Sequence, residues 1–117
     1  MTKGQVEAKI SEVVAKFEIE FIGRGPKHIK TIIIDDLIIV RLIGFLNPVE
    51  QKLADTQRGV ELVKQSRTIL FENAQNYFKD LIKQVIDVNI ISVHSDVSTK
   101  TGEKVIIISL KEKLEIE

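Results

Sequence analysis

The chain has 117 residues, with 17 Lys and Arg against 17 Asp and Glu and a formal net charge of zero. That length accommodates one domain, residues 1–117, with a core that needs no staples, and the charge balance excludes a polyanion reader built on bulk positive charge. The absence of cysteine excludes disulfides, thiolate metal sites and a thiol nucleophile.

The apolar set is skewed to Ile 19 and Val 12 against Leu 9. β-Branched side chains lose freedom in helices and pack well on a pleated surface, so a substantial sheet is expected. The opening MTKGQVEAKISE is too polar for a signal peptide. The densest apolar stretch, Ile32 to Ile43, is interrupted by Asp35, Asp36 and Arg41, well short of the ~20 residues a spanning helix needs. A soluble, cytoplasmic protein with no direct membrane insertion is expected.

Val6, Ile10, Val13, Val14, Phe17 and Phe21 recur at helical spacing and predict an amphipathic first helix. Thr2 and Gln5 have capping-box spacing, in which each side chain satisfies the other's free backbone donor. Gly23, Gly25 and Pro26 end the helix. The period then becomes extended. His28 to Ile34 and Leu37 to Ile43 flank Asp35-Asp36, which predicts a tight hairpin with Ile34 opposite Leu37 and Ile33 opposite Ile38. Lys30 then faces Arg41, a repulsive cross-strand pair unless something anionic intervenes.

Asn47-Pro48-Val49-Glu50 predicts a helix start, with Asn at the cap, Pro at the first position and Glu at the third. A short helix to about Thr56 is followed by a break or bend at Gly59. A long helix over 58–86 carries Val63, Leu70, Ala74, Phe78, Leu81, Ile82 and Val85 as its core stripe. Arg67 lies beside that stripe, placed either to pair with an acid from another element or to snorkel into water; Tyr77 reads as core. Val88 to Ser98 and Glu103 to Leu110 form a second hairpin across Thr99-Lys100-Thr101-Gly102. With Thr101-Gly102 at its tip, Val93, Val97, Ile106, Ile108 and Leu110 share one face. Ser92, His94, Asp96, Val105, Ile107 and Ser109 share the other. The charged segment over 111–117 is expected to fray.

The order helix-hairpin-helix-hairpin predicts a two-layer α+β domain, a four-stranded, mainly antiparallel sheet with helices packed on one face. The first hairpin is apolar on both faces near its turn. Ile32, Ile34, Leu37 and Ile39 on one face are therefore interface candidates, and contact with a second copy, giving a homodimer, or with a partner is expected unless the long helix crosses over them.

Two loops are candidate sites. Gly23-Arg24-Gly25-Pro26-Lys27-His28 offers glycine-freed backbone donors beside cations, with Lys30 and Arg41 as an extension of the same edge. It reads as a site for a small anion (phosphate, bicarbonate, carboxylate or a nucleotide) or as a helix terminator with solvated cations. Thr99, Lys100 and Thr101 form a hydroxyl-rich tip that reads as an oxyanion contact or an ordinary turn. Ser92, His94 and Asp96 lie along one strand and are not placed as a nucleophile, base and orienter; with His28 they do not make a metal site. No cofactor motif occurs, and the strand-loop-helix order of a P-loop is absent. Nucleic-acid binding is disfavoured by 5% aromatic content and zero net charge.

Five segments taken together resemble a known family: TKGQVEAKIS at residues 2–11, GRGPK at 23–27, IIDDLIIVRLIG at 33–44, NPVEQxLA at 47–54 and HSDVSTKTGE at 94–103. They are similar to the MpsC-like family, small bacterial proteins named for the third component of a proposed Na+-translocating, membrane-potential-generating system. The resemblance implies an accessory or regulator associated with membrane proteins that move ions or inorganic carbon; with no catalytic constellation in the residues, a non-enzymatic module acting by protein contact is expected. It also raises Arg24, Lys27, Lys100 and Thr101 above His94 as functional candidates.

Overall fold

The computed structural model describes residues 1–44 and 46–116. Helix α1 (Lys3–Ile22) is followed by strands β1 (His28–Ile34) and β2 (Leu37–Ile43), helices α2 (Pro48–Leu53), α3 (Gln57–Asn73) and α4 (Gln75–Val85), and strands β3 (Ile90–Ser98) and β4 (Glu103–Leu110). The strands form one antiparallel sheet in the order β1-β2-β4-β3. The fold is the expected two-layer α+β architecture.

Local chemistry sets the element ends. The Thr2–Gln5 and Asn47–Glu50 capping boxes both form, satisfying backbone donors that would otherwise lack partners. Gly23 closes α1 at φ +85°, donating its N–H to the Ile19 carbonyl at 3.0 Å. Asp35 takes the left-handed position in the first turn at φ +51°, a conformation short polar side chains tolerate. The β1–β2 register is the expected one throughout. In the second hairpin Ser98 pairs with Glu103 and Val93 with Ile108, a two-residue shift from a tip at Thr101-Gly102. A shift of two preserves parity, so every side chain stays on its expected face.

The core lies between one face of the sheet and the helices. Ile10 and Val14 of α1, Phe78 and Ile82 of α4, and Ile38, Val40, Leu42, Ile106 and Ile108 of the sheet are fully buried. Phe78 stacks edge-on against Phe17 and Phe71, with ring centroids 5.1 and 5.2 Å away, a geometry favoured by the aromatic quadrupole. Leu46, Val63 and Val97 form a smaller cluster under α2 and α3.

Several expectations are corrected here. The long helix over 58–86 is two helices, broken at Ala74, where φ is −101° and ψ 6°. No Gly or Pro stands there; α4 packs on α1 while α3 runs to α2 and β3, and the break accommodates both directions. Leu70, Phe21 and Tyr77 are exposed rather than buried. The segment over 111–116 does not simply fray, Glu117 lying outside the described residues: Leu114 and Ile116 pack on the core, and the Leu114 N–H donates to the Asp35 carbonyl at 3.0 Å.

A basic pocket at one end of the sheet

Three loops meet where β1 begins, β2 ends and the β3–β4 hairpin turns. The Lys27 N–H donates to the Ile43 carbonyl at 2.8 Å, extending the β1–β2 ladder one step. The Gly44 N–H donates to the Gly102 carbonyl at 2.9 Å, drawing the hairpin tip onto the end of β2. Gly44 has φ +76°, and a Cβ there would lie 2.8 Å from Lys27 Cγ. Only glycine serves both conditions, because L side chains are strained at that φ and the Lys27 stem occupies the space. Arg24 reaches across, its NH1 donating to the Leu46 carbonyl at 3.2 Å, and Gln51 Nε2 donates to the same oxygen at 3.1 Å.

These contacts enclose a pocket of about 240 Å³ whose lining includes Arg24, Lys27, Gln51, Thr99, Lys100 and Thr101. Among the described residues its lining holds three cations and no carboxylate. The sequence separates Arg24 and Lys27 from Lys100 by more than seventy residues, and the antiparallel sheet brings them to one opening. Hydroxyl and amide groups beside paired cations match the donors a small oxyanion requires.

The remaining expected candidates lie elsewhere. His28, Lys30 and Arg41 project from the face of the sheet opposite the helices. The Lys30–Arg41 repulsion is relieved from within the chain: Arg41 Nε donates to Glu103 Oε2 at 2.6 Å across β2 and β4. His94 is exposed, its Nε2 3.2 Å from Ser92 Oγ. Among the described residues no group of three or more His, Cys, Asp or Glu is placed to hold a metal.

The elements that carry the pocket loops also hold a buried charge cluster, which sequence reasoning largely missed. Lys104 Nζ donates to Glu18 Oε1 at 2.7 Å, both side chains being almost wholly inaccessible. Arg67 donates twice to Glu50, from Nε at 2.7 Å and NH2 at 2.6 Å, and its NH1 stands 4.0 Å from Glu18 Oε2. Of the two readings of Arg67, the structure selects pairing with acids from other elements. Glu50 is also the capping-box residue of α2, accepting the Asn47 N–H at 3.1 Å. The cluster therefore ties α1, α2, α3 and β4 together, and Glu50 and Lys104 are close in the chain to the pocket-lining Gln51 and Gly102. Glu18 and Lys104 had a signal in the pattern: Glu18 follows Phe17 on the inner face of α1, and Lys104 shares the parity of Ile106, Ile108 and Leu110.

Among the described residues no helix is long and apolar enough to cross a membrane. Residues 2–112 match the family model described as "Na+-translocating membrane potential-generating system (MpsC)". The chain is 36% identical over 114 residues to the uncharacterized protein YbcI of Bacillus subtilis strain 168, covering 97% of this chain and 92% of that protein. It is 24% identical over 110 residues to the uncharacterized protein YrhF of the same strain, covering 92% of this chain and 88% of that protein. No solved structure matches it. The loops that line the pocket fall inside the matched span, and the chain belongs to the MpsC family.

Proposed function

We propose that this protein is a non-enzymatic, cytoplasmic accessory or regulatory module of a membrane system that moves ions, and that a small oxyanion held in the loop pocket is its regulatory ligand. The observation that carries the reading is the convergence of Arg24, Lys27 and Lys100 on one pocket whose lining, among the described residues, has no carboxylate. The family description supplies the membrane context; protein contact is the means by which a module of this kind acts on a transport partner. Phosphate, bicarbonate and the phosphate end of a nucleotide share the chemistry that such a pocket recognises.

Calorimetric titration with phosphate, bicarbonate and ATP at constant ionic strength tests the reading. Lys27→Gln and Lys100→Gln should each weaken the anion that binds by about tenfold or more, since a hydrogen bond to a charged group contributes ~1.5–3 kcal/mol. Absence of heat and of thermal stabilisation with every anion up to ~10 mM would overturn it.

A further inference from the structure

The helices pack on one face of the sheet, and the opposite face presents a pattern that two copies of the chain can share. On β1 that face carries Ile34, Ile32, Lys30 and His28; on β2, Leu37, Ile39, Arg41 and Ile43. On β4 it carries Ser109, Ile107, Val105 and Glu103; on β3, Ser92, His94, Asp96 and Ser98. Ile34 is 48% exposed and Ile32 36%. An apolar strip thus runs through Ile32, Leu37, Ile39, Val105 and Ile107. Cations lie on the β1–β2 side of its lower end and carboxylates on the β3–β4 side.

We infer that this face is the contact between two copies of the chain, stacked sheet on sheet about a two-fold axis parallel to the strands. Such an axis lays β1 over the partner's β3 and β2 over the partner's β4. Because the strand order is β1-β2-β4-β3, Lys30 then meets the partner's Asp96 and Ile39 meets the partner's Ile107. Arg41 and Glu103, paired within each chain, come to lie beside the same pair of the other copy with opposite charges adjacent. The other in-plane two-fold, across the strands, lays β1 on the partner's β1 and puts Lys30 and Arg41 onto isoleucines or onto their own copies. Charge complementarity therefore selects both the occupant and the axis: the face is dipolar and complements itself. Aligned sheet-on-sheet packing of this kind interdigitates inner-face side chains as in a β-sandwich. Within one chain the exposed Asp96 carboxylate pairs with Lys64 at 3.4 Å and its Oδ1 accepts the Val97 N–H at 2.8 Å; an ion pair this exposed contributes little by itself, so the contact exchanges Lys64 for the partner's Lys30 or adds it at the second carboxylate oxygen.

Sedimentation equilibrium of the intact protein tests the inference. A mass of twice the 13.3 kDa chain is expected, and Ile39→Glu should leave a folded monomer by circular dichroism. If Ile39→Glu fails to fold, the surface swaps decide: Lys30→Asp and Asp96→Lys should each weaken the dimer by ~10-fold or more, and the double swap should restore it. A wild-type monomer at ~100 µM overturns the inference, including the case in which a membrane protein alone occupies the face. A dimer indifferent to Ile39→Glu and to both swaps, and so formed through another surface, also overturns it.

Discussion

Lys104 and Glu18 show what a single residue decides here. Both sit where the hydrophobic pattern would place an aliphatic side chain, and both are almost wholly buried. Removing one partner of such a pair leaves an uncompensated buried charge, at a cost of ~3–5 kcal/mol, whereas replacing both with apolar groups of similar volume is often neutral. Lys104→Met should therefore lower the unfolding free energy by about that amount in urea titrations, and Glu18→Leu/Lys104→Met should recover most of it. A single-variant loss below ~1 kcal/mol would contradict the pairing. Tyr77 illustrates the opposite case. Its hydroxyl donates to Glu20 Oε2 at 2.8 Å, and that hydrogen bond, with desolvation and the Glu20 charge behind it, holds the phenol above its ordinary pKa. The chain's single tyrosine is a surface latch between α1 and α4, which periodicity alone misread as core.

At the scale of elements, Gly59 fixes the joint between α2 and α3. It is the third residue of α3, and its N–H donates to the Thr56 cap at 3.0 Å. A Cβ at Gly59 would lie 1.4 Å from the Leu53 carbonyl oxygen. Helix propensity alone would give Gly59→Ala a gain of ~1 kcal/mol. Backbone against backbone cannot yield cheaply, so the structure predicts a loss of ~2 kcal/mol or more. Chemical denaturation gives the sign directly, and a stabilised variant would refute the tight α2–α3 joint. The sequence marks Gly59 as a break or bend, yet Gly59 lies within α3, the chain turns over 54–56, and the break in the long helix falls at Ala74. Glycine at 59 is a local signal for the close approach of α2, not for a bend. The break at Ala74 follows from two helices packing against different neighbours, which no residue there announces.

Across the whole molecule, function separates spatially. The pocket occupies the end of the sheet where the α1–β1 and β3–β4 loops meet, and the proposed contact surface occupies the sheet's open face. At the opposite end the chain closes on itself: the Leu110 N–H donates to the Asp36 carbonyl at 2.8 Å and the Leu114 N–H to the Asp35 carbonyl at 3.0 Å. Leu114 and Ile116 add partly buried apolar surface to the core. Deleting residues 111–117 should therefore cost ~2–4 kcal/mol, from two half-buried aliphatic side chains and a turn carbonyl left without its donor. Thermal unfolding of the truncated chain reads this out; an unchanged midpoint would show that the segment contributes nothing. Composition alone made 111–117 a charged tail, because the two apolar residues within it have no periodicity to report their contacts.

Much of this protein is determined by the sequence alone. Capping residues, the Asp35-Asp36 turn and the parity of the strands dictate the element order, the first hairpin's register and which side chains face inward, because each depends on neighbours in the chain. Two of the three loops that form the pocket were also legible as candidates, from glycines, cations and hydroxyls at turn positions; the third, after β2, carried no such signal. Tertiary structure alone decided that Arg24, Lys27 and Lys100 share an opening while His28, Lys30 and Arg41 face the other way. It also decided that Glu103 neutralises Arg41 and that Glu18, Lys104, Arg67 and Glu50 form one buried cluster. The physical reason is common to all three: charge interactions act through space between segments far apart in sequence, and a balanced total of charges carries no information about which of them meet.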